Sequence, residues 1–228
     1  MTRFSSFLFL ALPLLVGFSF TPMSQTIELS QGQKEAQFIL DNPTDAPMPL
    51  IVSVTTRQQN PTGPETLDKT SELTVFPPQL ILPAKEKRTV RVQWKGEIGT
   101  VEKAFRVIAE QMPVDVDKTK GKKTGIKMLL RYMAALYVNP GKTEAKLVVE
   151  KVEMAPSLRV TIKNEGSKHQ LMMSPTLTLS KGSEKVKLTG DELQGLAGEN
   201  VLAGSTRTFV LAYKARDLSA FTGALKLD

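Results

Sequence analysis

The sequence predicts an all-β chain built from two β-sandwiches in tandem, and three observations carry that prediction. Apolar residues recur with period two in short runs: AQFILDN, PLIVSVT, TVFPPQLIL, RTVRVQW, AFRVIAEQM and IKMLLRYMAALYV. Each run is rich in β-branched or aromatic residues and bounded by Pro, Gly, Asn or charged turns, as strands of a sandwich are. No segment before residue 140 offers an amphipathic helix of three turns. The third observation is an internal echo. LRVTIKNEGSKHQLM (Leu158 to Met172) repeats the grammar of QFILDNPTDAPMPL (Gln37 to Leu50), and Val201–Tyr213 repeats that of Ile81–Trp94. Asn42 to Pro83 spans 41 positions and Asn164 to Ala203 spans 39, so two units of one type account for the length.

Taken in order, the chain opens with Arg3 and an apolar run, Phe7 to Val16. The run is too short for a membrane span, which needs about 20 apolar residues, and Pro13 interrupts it. It reads as a secretory signal peptide over residues 1–17, cleaved near Gly17; an uncleaved anchor is the alternative. Phe18 to Leu29 supplies a first strand. Ile126–Val138 has the apolar content of a helix, but Tyr132, Tyr137, Val138 and the following Asn139-Pro140-Gly141 favour a long strand ending in a turn. That turn is the boundary between residues 18–140 and 141–228.

Composition narrows the function. Of 228 residues, 41% are hydrophobic and 23% charged, as in a chain that buries a core. Cysteine is absent, which excludes disulfides, thiolate metal sites and a cysteine nucleophile. His169 is the one histidine; it lies in the turn NEGSKHQ and reads as a surface residue. The net charge of +7 suits an acidic partner, but only 6% of residues are aromatic and no window interleaves them with basic residues as a nucleic-acid platform would. Gly141-Lys142-Thr143 lacks the earlier glycine of a phosphate loop, and Asp115/Asp117 and Asp191/Glu192 sit in polar loops. Met172 and Met173 read as packing. No nucleophile, base and orienter can be assembled, so the chain is not read as an enzyme, and no cofactor or metal is expected.

One hairpin stands out. Phe105–Met112 and Ile126–Val138 flank PVDVDKTKGKKTG, a Lys- and Gly-rich loop expected to be mobile over Pro113–Gly125. Ile126, Met128, Leu130 and Tyr132 share one face of the second strand, while Leu129 and Met133 make the other face apolar too, interrupted by Lys127 and Arg131. Such a strand is either central in a sheet or covered by an external partner.

These segments resemble the periplasmic chaperones of pilus and fimbria assembly by the chaperone–usher route. The resemblance covers roughly Phe18 to Leu227 and is strongest in VFPPQLILPAKEKRTVRVQW, AFRVIAEQMP and Ile126–Pro140. It implies two immunoglobulin-like domains in a boomerang, a periplasmic location, and pilus subunits and an outer-membrane usher as partners, with neither nucleic acid nor stable membrane insertion. Carried over by position, the strand lent to a subunit lacking one of its own holds Ile126, Met128, Leu130 and Tyr132. In the better-known branch an arginine of the first strand and a lysine late in the donor strand fix the subunit's terminal carboxylate. Here Phe18–Leu29 has no basic residue and Ala135 stands at the lysine position. Arg106 and Arg131, with Lys127, are the substitute candidates, as in the divergent archaic branch; a surface or interdomain salt bridge is the alternative for each. Glu102 falls where the family has an interdomain carboxylate. A secreted structural or adhesive pilus component is the competing function.

Overall fold

The computed structural model describes residues 17–113, 128–154, 156–213 and 217–227. The signal-peptide run, Ile126, Lys127 and nearly all of the Lys-rich loop lie outside these residues. Among the described residues the regular structure is β, with two short 3-10 turns at Leu29–Gln31 and Gly190–Leu193.

The first half holds β1 (Ser19–Thr21), β2 (Ser24–Glu28), β3 (Glu35–Asp41), β4 (Met48–Thr56), β5 (Leu73–Phe76), β6 (Gln79–Leu82), β7 (Lys87–Trp94), β8 (Lys103–Gln111) and β9 (Arg131–Asn139). They form two sheets, β1-β3-β7-β5 and β2-β9-β8-β4-β6. Period two places Ala36, Phe38 and Leu40 of β3 and Val90, Val92 and Trp94 of β7 inward, facing Val52, Phe105, Val107 and Leu136 of the other sheet. Phe20 stacks on Phe38 at 5.1 Å, and Trp94 meets Phe105 edge-on at 5.9 Å. Each fully buried Phe or Leu contributes about 1.5–3 kcal/mol, so these inward rows fix the register.

The first strand is not continuous, contrary to the reading of Phe18–Leu29 as one element. β1 pairs antiparallel with β3, and β2 pairs parallel with β9 in the opposite sheet. The switch falls at Pro22, which has no N–H to continue a ladder.

The strand read from Ile126 also begins later, at Arg131. The Gln111 N–H donates to Leu130 O at 2.9 Å, but the next donor, Met112 N–H, turns to Pro49 O. Met128 and Leu129 lie beyond that divergence and belong to no strand.

The second half comprises β10 (Leu147–Met154), β11 (Leu158–Asn164), β12 (Gln170–Leu171), β13 (Pro175–Lys181), β14 (Glu184–Leu188), β15 (Asn200–Val201), β16 (Thr206–Leu211) and β17 (Thr222–Leu227). They pair as β10-β11-β16, β14-β13-β17 and β12-β15. Leu158, Val160 and Ile162 of β11 pack with Leu177, Leu179, Phe209 and Leu218 in a core separate from the first.

The sequence echo is structural. Asn42 follows β3 and Asn164 ends β11; both are fully buried. The Asn42 amide donates to Ala46 O, Leu82 O and Pro83 O, and its oxygen accepts from Thr44 N–H. The Asn164 amide donates to Lys168 O and Val201 O, and its oxygen accepts from Gly166 N–H and Lys146 N–H. In each unit one amide satisfies its own turn at i+2 and i+4 and pins a crossing segment about forty residues on.

Removing either amide strands buried carbonyls, at about 1–3 kcal/mol for each unsatisfied group. Asn42→Ala should therefore lower stability by about 2–3 kcal/mol and open β3 and β7 to hydrogen exchange. Asn164→Ala should do the same to β11 and β16; exchange spread evenly over both units would contradict the repeat.

Candidate functional site

The outer face of β8 and β9 carries Arg106 and Arg131, two of the residues that the sequence singled out. The antiparallel register sets Ala104 opposite Tyr137, Arg106 opposite Ala135, Ile108 opposite Met133 and Glu110 opposite Arg131. Directly paired residues share a face, so these four pairs form one row away from the core.

Strand β9 changes character along this row. From Ala134 to Asn139 it is buried on both faces. Ala134, Leu136 and Val138 pack into the first core, while Ala135 and Tyr137 pack on Leu202 of the second half. Here the cover over the second apolar face is the chain itself, not an external partner. Toward Arg131 that cover ends.

The inward row also runs out. Tyr132 is half-buried, its ring edge-on to Phe18 at 4.9 Å and its hydroxyl donating to Phe18 O at 2.8 Å. Leu130 still packs on the first core. Met128, next in the same alternation, is 59% exposed, and Leu129 beside it is 43% exposed. The single exposed face expected for Met128 and Leu130 is thus graded: Leu130 is partly covered by its own sandwich and Met128 is not.

Arg106 and Arg131 do not converge. They stand four residues apart on the paired strands, about 13 Å along the sheet. Arg131 pairs with Glu110 at 2.9 Å in an exposed bridge. Arg106 instead makes two hydrogen bonds to Glu65, at 2.9 and 3.0 Å. The residue that does converge with it is Arg57, which no sequence signal picked out. Thr55 of β4 pairs with Arg106, and Arg57 two residues on donates its N–H to Ala104 O, which puts both arginines on the outer face. Arg57 Nε reaches Glu65 Oε1 at 2.7 Å. Glu65 itself is delivered by the segment after β4, which closes on itself through paired backbone hydrogen bonds between Gln58 and Thr66.

Arg57 joins this cluster to the junction between the two halves. Its Nη1 donates to the Tyr137 hydroxyl at 2.9 Å, which also accepts from Asn200 Nδ2 at 2.7 Å. The Tyr137 ring stacks on His169 at 3.7 Å, 7° from parallel. His169 in turn meets Glu102: its N–H donates to Glu102 Oε1 at 2.9 Å, and Nδ1 lies 2.5 Å from the same oxygen. His169 is therefore an interface residue, which corrects the surface reading; its turn is exposed only in isolation, and Tyr137 covers it. Glu102 N–H donates to Ser167 O, and Gln59 bonds both Asn200 O and Leu202 N–H.

Residues 19–144 match the family described as pili and flagellar-assembly chaperone, PapD N-terminal domain. The chain belongs to this family. No curated protein matches it in sequence. Among solved structures it is similar to a chain of the CsuC–CsuE chaperone–tip adhesion subunit pre-assembly complex from the archaic chaperone–usher Csu pili of Acinetobacter baumannii. That match has 16% identity and a TM-score of 0.63, covering 92% of this chain and 98% of that one. It is also similar to the class 5 fimbriae chaperone CfaA, at 15% identity and TM-score 0.59, over 93% and 99% of the two chains. A chain of the Salmonella enterica SafA pilin–SafB chaperone complex matches at 13% identity and TM-score 0.57, over 94% and 97%. The chaperone thus has the all-β, two-domain immunoglobulin-like fold expected from its sequence.

Burial pushes the Glu65 carboxyl up, but hydrogen bonds and charge from Arg106 and Arg57 outweigh it and hold the group below its ordinary value of 4.5. A depressed carboxyl adds stability that is complete above the ordinary value and drains away as pH falls through the lowered one. Glu65→Gln should therefore flatten the acid limb of the stability profile below about pH 4.5, measured by thermal melts at stepped pH. Parallel limbs for variant and parent would show that the arginines do not set it.

Proposed function

We propose that this chaperone captures pilus or fimbrial subunits in the periplasm by lending them the segment that leads into β9, and passes them to an outer-membrane usher. Residues 1–17 serve as its export signal, and residues 18–140 and 141–228 are its two domains. It works by binding, without catalysis or cofactor.

The observation that carries this reading is the inward row of β9. Val138, Leu136 and Ala134 fill the chaperone's own core, Tyr132 and Leu130 are half-covered, and Met128 projects past the end of the sandwich into solvent. Ile126 continues the same alternation in sequence. A subunit missing one strand presents the complement: unpaired backbone groups flanking an open apolar groove. Laying Met128 and Leu130 in that groove extends the ladder and removes apolar surface from water, at about 25 cal/mol per Å². Tyr132, held by Phe18, marks where the lent segment ends and the chaperone's fixed core begins.

Charge frames the segment. Arg106, Arg131 and Lys127 are the candidate cations for a subunit carboxylate, and Glu102 with His169 joins the two domains. The Arg131–Glu110 bridge is about half-exposed on both sides, so it contributes about 0–1 kcal/mol and parts readily.

Met128→Asp should abolish co-purification of subunits from periplasm while changing the stability of the free chaperone by less than about 1 kcal/mol in urea unfolding. If it unfolds the free protein, the segment is core and strand lending fails. Arg131→Ala should weaken capture and leave the melting temperature of the free chaperone nearly unchanged; a large fall in that temperature assigns Arg131 to structure alone.

A further inference from the structure

We propose that Met128 is an oxidation-controlled site: a hydroperoxide converts its thioether to the sulfoxide, and the sulfoxide disables subunit capture until a sulfoxide reductase restores the thioether. The effect on capture rests on the strand-lending reading; the reactivity of the side chain does not.

The chain has no cysteine and nine methionines, so its redox-reactive sulfur is thioether sulfur. Among the described residues these side chains occupy distinct environments. Met48 is buried in the first core and Met172 in the second, while Met112, Met133 and Met154 are half-buried. Met23, Met128 and Met173 are open to solvent, at 48%, 59% and 58% exposure. An oxidant dissolved in water meets these three first.

Position separates Met128 from the other two. Met173 belongs to the second half, and Met23 lies in the link between β1 and β2, where its contact with Ala135 N–H is made by the backbone oxygen. Met128 stands in the row proposed to enter a subunit groove. Its companions in that alternation, Ile126 and Leu130, are hydrocarbon side chains that a hydroperoxide leaves unchanged. Leu130 packs on the first core, whereas Met128 is part of neither core. A polar atom placed on Met128 therefore disturbs nothing that holds the free chaperone together, and it falls where the partner needs an apolar side chain.

The chemistry is a two-electron oxygen transfer. The thioether sulfur attacks the terminal oxygen of the hydroperoxide, an S–O bond forms and the O–O bond breaks. The departing oxygen takes the proton of the transferred hydroxyl, so hydrogen peroxide leaves as water. Sulfur is oxidised by two electrons and the peroxide is reduced by two. A dithiol-dependent sulfoxide reductase reverses the change, returning two electrons and two protons and releasing the oxygen as water. The sulfoxide carries a strong acceptor oxygen where the thioether was apolar. Burying that oxygen in an apolar groove without a donor weakens capture by about tenfold or more. A seated subunit would in turn cover Met128, so the oxidant acts on idle chaperone and spares loaded chaperone.

Two measurements test the site, both on the full mature chain. In the first, free chaperone and its complex with the subunit that co-purifies from periplasm are exposed to limiting hydrogen peroxide, and sulfoxides are located by peptide mass spectrometry. Met128 should oxidise in the free chaperone well before Met48 and Met172, and should stay reduced in the complex while Met173 oxidises as before. In the second, the same subunit is purified and offered from denaturant to each chaperone. Parent carrying the sulfoxide should capture about tenfold less subunit with an unchanged melting temperature, and reductase with dithiothreitol should restore capture. Met128→Leu should capture like untreated parent before and after peroxide, and Met23→Leu combined with Met173→Leu should lose capture as the parent does. Met128 remaining reduced while Met23 and Met173 oxidise, full capture by chaperone carrying the Met128 sulfoxide, or equal loss in peroxide-treated Met128→Leu each overturns the proposal. Untreated Met128→Asp judges strand lending separately. If it captures normally, that reading fails and the switch fails with it; if it loses capture while the sulfoxide does not, the switch alone fails.

Discussion

The Tyr137 side chain is the point on which both halves of this chaperone depend. Its strand is buried on both faces there, because β9 serves the first core with Leu136 and Val138 and the second domain with Ala135 and Tyr137. The ring lies flat on His169, whose partner Glu102 is almost fully buried. The hydroxyl is shared between Arg57 of the first domain and Asn200 of the second. A buried carboxylate and a buried hydroxyl are costly unless paired, so the polar contacts specify one mutual orientation of the domains more sharply than the small apolar patch at Leu202 alone. The same constraint keeps β9 fixed at its C-terminal end and leaves its N-terminal end uncovered.

That asymmetry reconciles two demands that the proposed strand lending places on one strand. An exposed apolar edge invites aggregation, and a core strand cannot be lent to a partner without unfolding its owner. Grading burial along β9 and the residues leading into it, from full cover at Leu136 to exposure at Met128, confines the hazard to the few residues proposed to meet a partner. The outer face shows the same gradient in charge. Near the junction Arg106 is tied down with Arg57 by Glu65, while near the open end Arg131 and Glu110 form a solvent-exposed pair. Solvent screens that outer pair and leaves it weak; the inner cluster, half-buried, holds its members more firmly.

What was legible in the sequence follows from which interactions are local. Period two exposed the strands, since strands such as β3, β7 and β11 bury alternate residues, and the Asn42/Asn164 echo exposed the repeat because each asparagine caps its own turn at i+2 and i+4. The apolar content of Ile126–Val138 marked an unusual strand. Its start at Arg131 did not show, because that depends on Met112 leaving Leu130 for Pro49 O. The split of the first strand was hidden although Pro22 marks it: a proline tells where a ladder breaks, not which sheet the chain joins next. Sites assembled across distant segments were the least visible. Arg57, Glu65 and His169 have no local motif; register brings the first to Arg106, a closed loop brings the second, and the fold of the other domain brings the third to Tyr137. The nearest available clue was Glu102, which the family resemblance put at the junction without naming a partner.

The position of Glu65 also ties the arginine cluster to the junction between the domains. Its segment is held at the neck by Gln58 and Thr66, and further out Gln59 bonds Asn200 and Leu202 while Pro61 O accepts from Thr208 N–H. The backbone carrying Glu65 is therefore part of the contact between domains, and Arg57 touches both Glu65 and Tyr137. The Glu65 carboxylate keeps the charge on Arg57 compensated while Arg57 holds its hydrogen bond to Tyr137. Removing it with no replacement leaves an uncompensated guanidinium at a nearly closed position, which is destabilising in a way that an exposed cation is not. Glu65 thus matters to the chaperone as a shared counter-ion: it lets two arginines be held beside the junction without carrying an unpaired buried charge.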